Sequence, residues 1–194
     1  MGASTLIVEP KPAQHRNRPI SSQARSPGTA ALLIVAGSLL IAASAKLQIP
    51  FWPVPLTLQS LAVVVLGATL GPVVSAAAVL LYLIEGLCGL PVFAGAAHGV
   101  SALTGPTGGF LLGFLLAAPS TGLLVRQGWG RTLSSAALLM LVGHAVLFVP
   151  GLAWLAYRIG EMRAIDLGLT PFLAAIFVKV AIGAALIRTL PRGG

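Results

Sequence analysis

Residues 55–88 read PLTLQSLAVVVLGATLGPVVSAAAVLLYLIEGLC, and Glu85 is the one formally charged side chain among them. A helix crossing about 30 Å of hydrocarbon needs roughly 20 consecutive, mostly apolar residues. The stretch is too long for one such helix. Gly71-Pro72 is a turn dipeptide that interrupts it, so we read two helices, 55–71 and 73–88. Fusing them is the alternative, and it gives five membrane spans in all instead of six. Working outward, the other apolar runs are 29–46, 109–125, 132–157 and 168–190. Pro50, Pro53 and Pro55 withhold backbone donors and hold the first connection extended. Polar breaks at Arg126–Arg131 and Arg158–Asp166 separate the later runs.

Composition agrees with a bilayer as solvent. Of 194 residues, 57% are hydrophobic and 8% charged, against about 25% charged in ordinary soluble domains. Mean hydropathy is +0.96. A soluble enzyme is excluded, and so is a secreted disulfide scaffold, because Cys88 is the only cysteine. Twelve Lys and Arg against four Asp and Glu give a net charge of +8. Those cations stand at the ends of apolar runs rather than in a patch with interleaved polar residues, so nucleic acid is not the expected partner. The fold class is all-α integral membrane, with six transmembrane helices.

Residues 1–28 stand apart. They carry Lys11, Arg16, Arg18 and Arg25, and Leu6-Ile7-Val8 is their longest apolar run. That is short of the apolar core of a secretory signal, and we read a flexible, basic cytoplasmic extension. Residues 29–194 form the membrane-embedded domain. With the N-terminus inside, Lys11, Arg16, Arg18, Arg25, Arg126, Arg131, Arg188 and Arg192 face the cytoplasm, and Lys46, Arg158 and Arg163 face outward. This follows the positive-inside rule and puts both termini in the cytoplasm.

The few polar residues at membrane depth carry the functional information. Thr57 and Gln59 are expected in the first turns of the second helix, near the outer face. Tyr82 and Glu85, three apart, share a face near the outer end of the third. Lys179 lies eight residues beyond Pro171, about 12 Å along the axis, near mid-depth. Polar groups thus gather in the outer half and the middle, as a cavity open to the outside requires. The segment from Gly89 to Gly109 is too apolar for a solvated loop and too broken for a helix. Such backbone is tolerated at membrane depth where it is buried or lines a water-filled cavity. Gly108 and Gly109 then open a helix whose free N–H groups offer a seat for an anion.

Several quoted pieces, in order, carry a resemblance. They are Pro50-Phe51-Trp52-Pro53-Val54-Pro55-Leu56-Thr57-Leu58-Gln59, Tyr82-Leu83-Ile84-Glu85-Gly86, Gly89-Leu90-Pro91-Val92-Phe93-Ala94-Gly95 and Gly105-Pro106-Thr107-Gly108-Gly109-Phe110. Gly151-Leu152-Ala153-Trp154-Leu155 and Pro171-Phe172-Leu173 with Lys179 follow. Together they resemble the BioY family, the biotin-binding S components of energy-coupling factor (ECF) vitamin transporters. The resemblance implies biotin uptake through an outward-facing pocket in the bacterial inner membrane. It implies a transmembrane coupling protein and cytoplasmic ATPase subunits as partners. The chain has no G-x-x-x-x-G-K-[ST] phosphate loop, so ATP hydrolysis belongs to those partners, and no cofactor or metal is expected. One position departs from the family pattern. Its last helix commonly reads Pro-Phe-Leu-Pro-Gly-Asp-x-x-Lys, and here Ile176 stands where the Asp is expected. On the first helix, Ser38 and Ala42 form a small-xxx-small pair.

A biotin site implies a cation for the carboxylate, a donor and acceptor for the ureido ring, and apolar walls. Lys179 is assigned the carboxylate, Gln59 donates and accepts, Tyr82 offers a hydroxyl and Glu85 an acceptor. Trp52 and Phe93 give apolar faces, and Gly95, Thr107 and Gly108 complete the candidate set. Plainer readings stand beside these. Lys179 snorkels or bonds backbone carbonyls; Glu85 pairs with Lys46 or Arg158; Gln59 bridges the second and third helices; Tyr82 and Trp52 sit in an interface belt. Trp154 is read as a belt residue, His98 as solvent-facing, and His144 as satisfying a backbone group. Enzyme classes are rejected. Ser101 and His98 share a loop, yet no G-x-S-x-G-like turn presents a nucleophile, and one Asp with three scattered His makes no metal set. A vitamin-binding component for another ligand and a structural subunit without a ligand remain as alternatives.

Overall fold

Ser26 starts the first helix, its Oγ accepting from the Thr29 N–H at 3.2 Å, with Pro27 in the first turn, where no donor is needed. In the computed structural model the described residues are 26–95 and 99–190. Most of the basic extension expected over 1–28, together with His98 and Arg192, lies outside them. Helix α1 covers Pro27–Lys46, and strands β1 (Gln48–Ile49) and β2 (Leu56–Thr57) follow. Then come α2 (Gln59–Leu70), α3 (Pro72–Leu87), α4 (Val100–Thr104), α5 (Gly108–Arg126), α6 (Leu133–Ile159), α7 (Glu161–Gly168) and α8 (Thr170–Thr189).

Helices therefore stand at each of the apolar runs read from the sequence. Gly71 makes the turn between α2 and α3 with φ of 80°, a conformation without penalty only for glycine, and Pro72 opens α3. Among the described residues four helices, α1, α5, α6 and α8, are long and apolar enough to cross a membrane. Helices α2 and α3 are apolar but only 12 and 16 residues long, about 18 and 24 Å.

Three local expectations are corrected. Thr57 lies in β2, ahead of α2 rather than in its first turn. There β1 and β2 pair antiparallel, Gln48 opposite Thr57, because the prolines extend the chain between them. The broken segment 89–109 contains α4. The polar break after α6 is itself mostly helix: Gly160, with φ of 91°, ends α6, and α7 buries Ala164 and Gly168 on one face, four residues apart.

Helix α5 is central and packs on α2, α3 and α6, while α1 lies on α3 and α8 on α6. Small residues permit the approach. A Cβ at Gly113 would meet the Leu147 carbonyl oxygen, and one at Gly109 would meet Trp154. The core spreads over Ile41, Val63, Val79, Leu111, Phe114, Leu147 and Leu155, with a second cluster around Val64, Leu139, Met140 and Ile187. The C-terminal ends of α1, α3 and α6 meet the N-terminal ends of α2, α5 and α8 at one end of the bundle. Arg126, Arg131 and Arg188 mark the other.

Candidate functional site

At that junction the connections and helix ends enclose a recess of about 580 Å³, part of it open to solvent. The rim comes from connections: Val54, Pro55 and Thr57 from the β1–β2 turn, Phe93 and Ala94 from the α3–α4 segment, Thr107 from the turn before α5. The deeper wall comes from helices: Gln59 and Ser60 on α2, Phe110 and Phe114 on α5, Phe148 on α6, Phe172 and Lys179 on α8. Phe148 meets Phe110 and Phe172 edge-to-face at 5.4 and 5.7 Å between centroids, a favoured aromatic geometry.

The polar side is narrow. Lys179 is buried, and its Nζ donates to Ser60 Oγ at 2.9 Å. No carboxylate pairs with it among the described residues. An ammonium removed from water costs several kcal/mol unless paired, so a cation at the floor of this recess would be stabilised by an anionic ligand. The snorkelling alternative does not hold, since the side chain is only 6% exposed and points into the recess. Next to it, Gln59 Nε2 donates to Tyr82 Oη at 2.7 Å, and Gln59 Oε1 accepts from Thr57 Oγ1 at 3.3 Å. Gln59 thus bridges α2 and α3 and faces the recess at once.

Of the candidates read from the sequence, Lys179, Gln59, Phe93 and Thr107 come together on the wall. The others do not. Tyr82 is fully buried behind the wall, which removes it from an interface belt. It supports two wall residues, Gln59 through the hydrogen bond and Phe93 through an edge-to-face contact at 5.3 Å. Glu85 accepts from Ser38 Oγ at 2.5 Å. Lys46, its proposed ion-pair partner, donates instead to the Phe93 carbonyl at 2.9 Å, and Arg158 is exposed. Trp52 is 73% exposed, and Val54 turns inward in its place. Gly95 lines a shallower outer recess that shares Thr107 and Ala94, and its N–H donates to Gln48 Oε1 at 3.1 Å. Gly108 lies outside the recess wall. Its N–H already donates to the Gly105 carbonyl at 3.1 Å, and a Cβ there would meet the Leu103 carbonyl. Trp154 donates from Nε1 to Gly105 O at 2.8 Å, tying α6 to the same turn.

Ser60 and the phenylalanines at 110, 114, 148 and 172 were not singled out from the sequence. A phenylalanine in an apolar helix gives no contrast. A usable signal was the glycine preceding each α5 phenylalanine, since Gly109 and Gly113 fix which face of α5 meets α6 and leave Phe110 and Phe114 beside that seam.

An apolar helical bundle hollowed at one end, with one cation at the base, defines a membrane-embedded solute-binding component. A crystal structure of the S-component for biotin from an ECF-type ABC transporter superposes with a TM-score of 0.73. It covers 82% of this chain and 89% of that one, at 22% identity, and so the fold is that of an S component. The chain belongs to the BioY family, whose profile matches residues 16–193. It is 38% identical to biotin transporter BioY2 of Lactococcus lactis subsp. cremoris over 164 residues, covering 81% of this chain and 90% of the relative. A probable biotin transporter BioY of Pyrococcus horikoshii is 36% identical over 151 residues, 78% of this chain and 89% of the relative. For biotin transporter BioY of Thermotoga maritima the figures are 34% identity, 82% and 95%. The family comprises transporter components, not enzymes.

Proposed function

We propose that this chain takes up biotin as the membrane-embedded, substrate-binding S component of an ECF-type transporter. The observation that carries the reading is the buried Lys179 ammonium, without a protein carboxylate, at the base of an aromatic-walled recess. Biotin is an organic acid with an apolar thioether ring and chain and a ureido head that donates and accepts hydrogen bonds. Lys179 takes the carboxylate, and the phenylalanines with Val54 enclose the ring and chain. Gln59 and Thr107, with Thr57, meet polar atoms on the wall. Tyr82 works from behind through Gln59. Trp52, Glu85, Gly95 and Gly108 are left out of contact. The names of the relatives support the choice of ligand.

In this reading six helices, α1, α2, α3, α5, α6 and α8, are the membrane segments, with α2 and α3 as a short hairpin sheltered by longer neighbours. Residues 29–194 are the binding domain and 1–28 a basic cytoplasmic extension. Both termini lie in the cytoplasm of a bacterial inner membrane, because Arg126, Arg131 and Arg188 cluster at the end opposite the recess. A coupling protein and cytoplasmic ATPases supply the energy.

Titration calorimetry of purified protein with biotin tests this. Saturable binding that Lys179→Ala weakens strongly is the expected result, and no binding by the unaltered protein overturns it. A second ligand class has one observation in its favour: Ile176 is packed between the two apolar clusters where the family pattern has an Asp. Competition by other vitamin carboxylates in the same cell distinguishes it.

A further inference from the structure

Beneath the recess, His144 on α6 is 2% exposed. Its Nδ1 lies 2.8 Å from the Met140 carbonyl oxygen. That oxygen only accepts, so Nδ1 carries the proton and Nε2 of the neutral ring is an acceptor. Nε2 is buried and meets no hydrogen-bond partner among the described residues. Buried acceptors without partners are uncommon and call for an explanation.

The register of α6 against α8 supplies one. Phe148 meets Phe172 near the mouth, and a Cβ at Gly183 would meet Met140 lower down. His144 falls midway between Met140 and Phe148, hence level with residues 177–179 of α8, where Lys179 is the residue turned into the bundle. From α2, Val64 sits against Gly143, which puts Ser60 one turn nearer the mouth. Three helices thus bring a hydroxyl, an ammonium and an imidazole acceptor to the base of the recess. The ammonium has three N–H donors, and Ser60 uses one of them.

We propose that His144 is a positioning residue for Lys179: Nε2 accepts from the ammonium through one bridging water and holds the charge aimed at the recess for an anionic solute. The inference rests on Lys179 meeting the carboxylate of biotin. Ser60 from the side and His144 from below would fix the ammonium and leave its remaining donor for the ligand. With the histidine acceptor gone, the ammonium is held by Ser60 alone, and discrimination in favour of the acid falls.

The test compares biotin with its uncharged primary amide by titration calorimetry, using the full chain. The unaltered protein is expected to prefer the acid. His144→Leu and His144→Met, two apolar replacements of different shape, are expected to lose roughly tenfold or more in affinity for the acid and to keep the amide affinity within about twofold. Retained amide binding shows that a variant is folded, and two variants keep the test alive if one is not. His144→Gln, which restores an acceptor, is expected to recover most of the preference. If both apolar variants keep the acid-over-amide ratio, or lose both ligands equally, the role of His144 is overturned and the biotin reading stands. If the unaltered protein binds biotin without preferring the acid, the role of Lys179 fails and His144 with it. If it binds neither ligand, the proposed function fails as well.

Discussion

Replacing Lys179 by methionine separates stability from affinity, because the same charge acts oppositely on the two. The lysine is 6% exposed, its Nζ donates to Ser60 Oγ at 2.9 Å, and no carboxylate lies opposite among the described residues. Exchanging a buried ionic group for an apolar one of similar volume is often stabilising by about 1–4 kcal/mol. A domain of this size gains roughly 2–4 °C in melting temperature per kcal/mol. Lys179→Met is therefore expected to melt higher by several degrees without ligand. Loading reverses the sign. Removing one partner of a buried, hydrogen-bonded charge pair costs about 2–5 kcal/mol, and at about 1.4 kcal/mol per decade biotin affinity falls roughly 30- to 4,000-fold. Differential scanning fluorimetry on detergent-solubilised protein, with and without biotin, reads both effects in one experiment. Stability and affinity falling together would refute the reasoning, since the lysine would then be holding the bundle rather than waiting for a ligand.

Other substitutions probe the wall and the packing. Tyr82→Phe removes the acceptor from Gln59 Nε2, leaving a buried donor at a cost of about 1–3 kcal/mol; biotin titration is expected to show a roughly tenfold weaker site. Trp52→Ala leaves binding within about twofold in the same assay, because the ring is 73% exposed and away from the recess, and the interaction of a surface side chain rarely exceeds a few tenths of a kcal/mol. Gly113→Ala drives a methyl group into the Leu147 carbonyl and forces α5 and α6 apart. Over-packing of this kind typically costs about 1–3 kcal/mol, read as a lower melting temperature.

The six apolar helices were legible because proline and glycine punctuate them: Gly71-Pro72 ends α2 and begins α3, and Pro50, Pro53 and Pro55 mark the extended turn. Helix α7 was hidden because its composition, Glu161 to Asp166, is polar, and charge was taken as a break. Its helical character shows only once Ala164 and Gly168 are seen to share a buried face. At the site, Lys179 and Gln59 were legible as polar outliers in an apolar background. Glu85 was equally conspicuous, yet Ser38 on α1 absorbs it, and a contact between residues 38 and 85 has no trace in local spacing. Where an anion seat was expected, the Gly105 carbonyl takes the Gly108 N–H, a turn contact that local composition does not reveal.

The recess has walls of two kinds of stiffness. Ser60, Phe114, Phe148 and Lys179 are carried on packed helices, whereas Val54, Pro55, Phe93 and Ala94 ride on connecting chain with few backbone bonds. Segments of the second kind open at far lower free energy than packed helices. A solute would therefore have its charged end clamped by parts that scarcely yield while its release waits on a compliant rim. How tightly it is held and how long it stays become adjustable by different sets of residues.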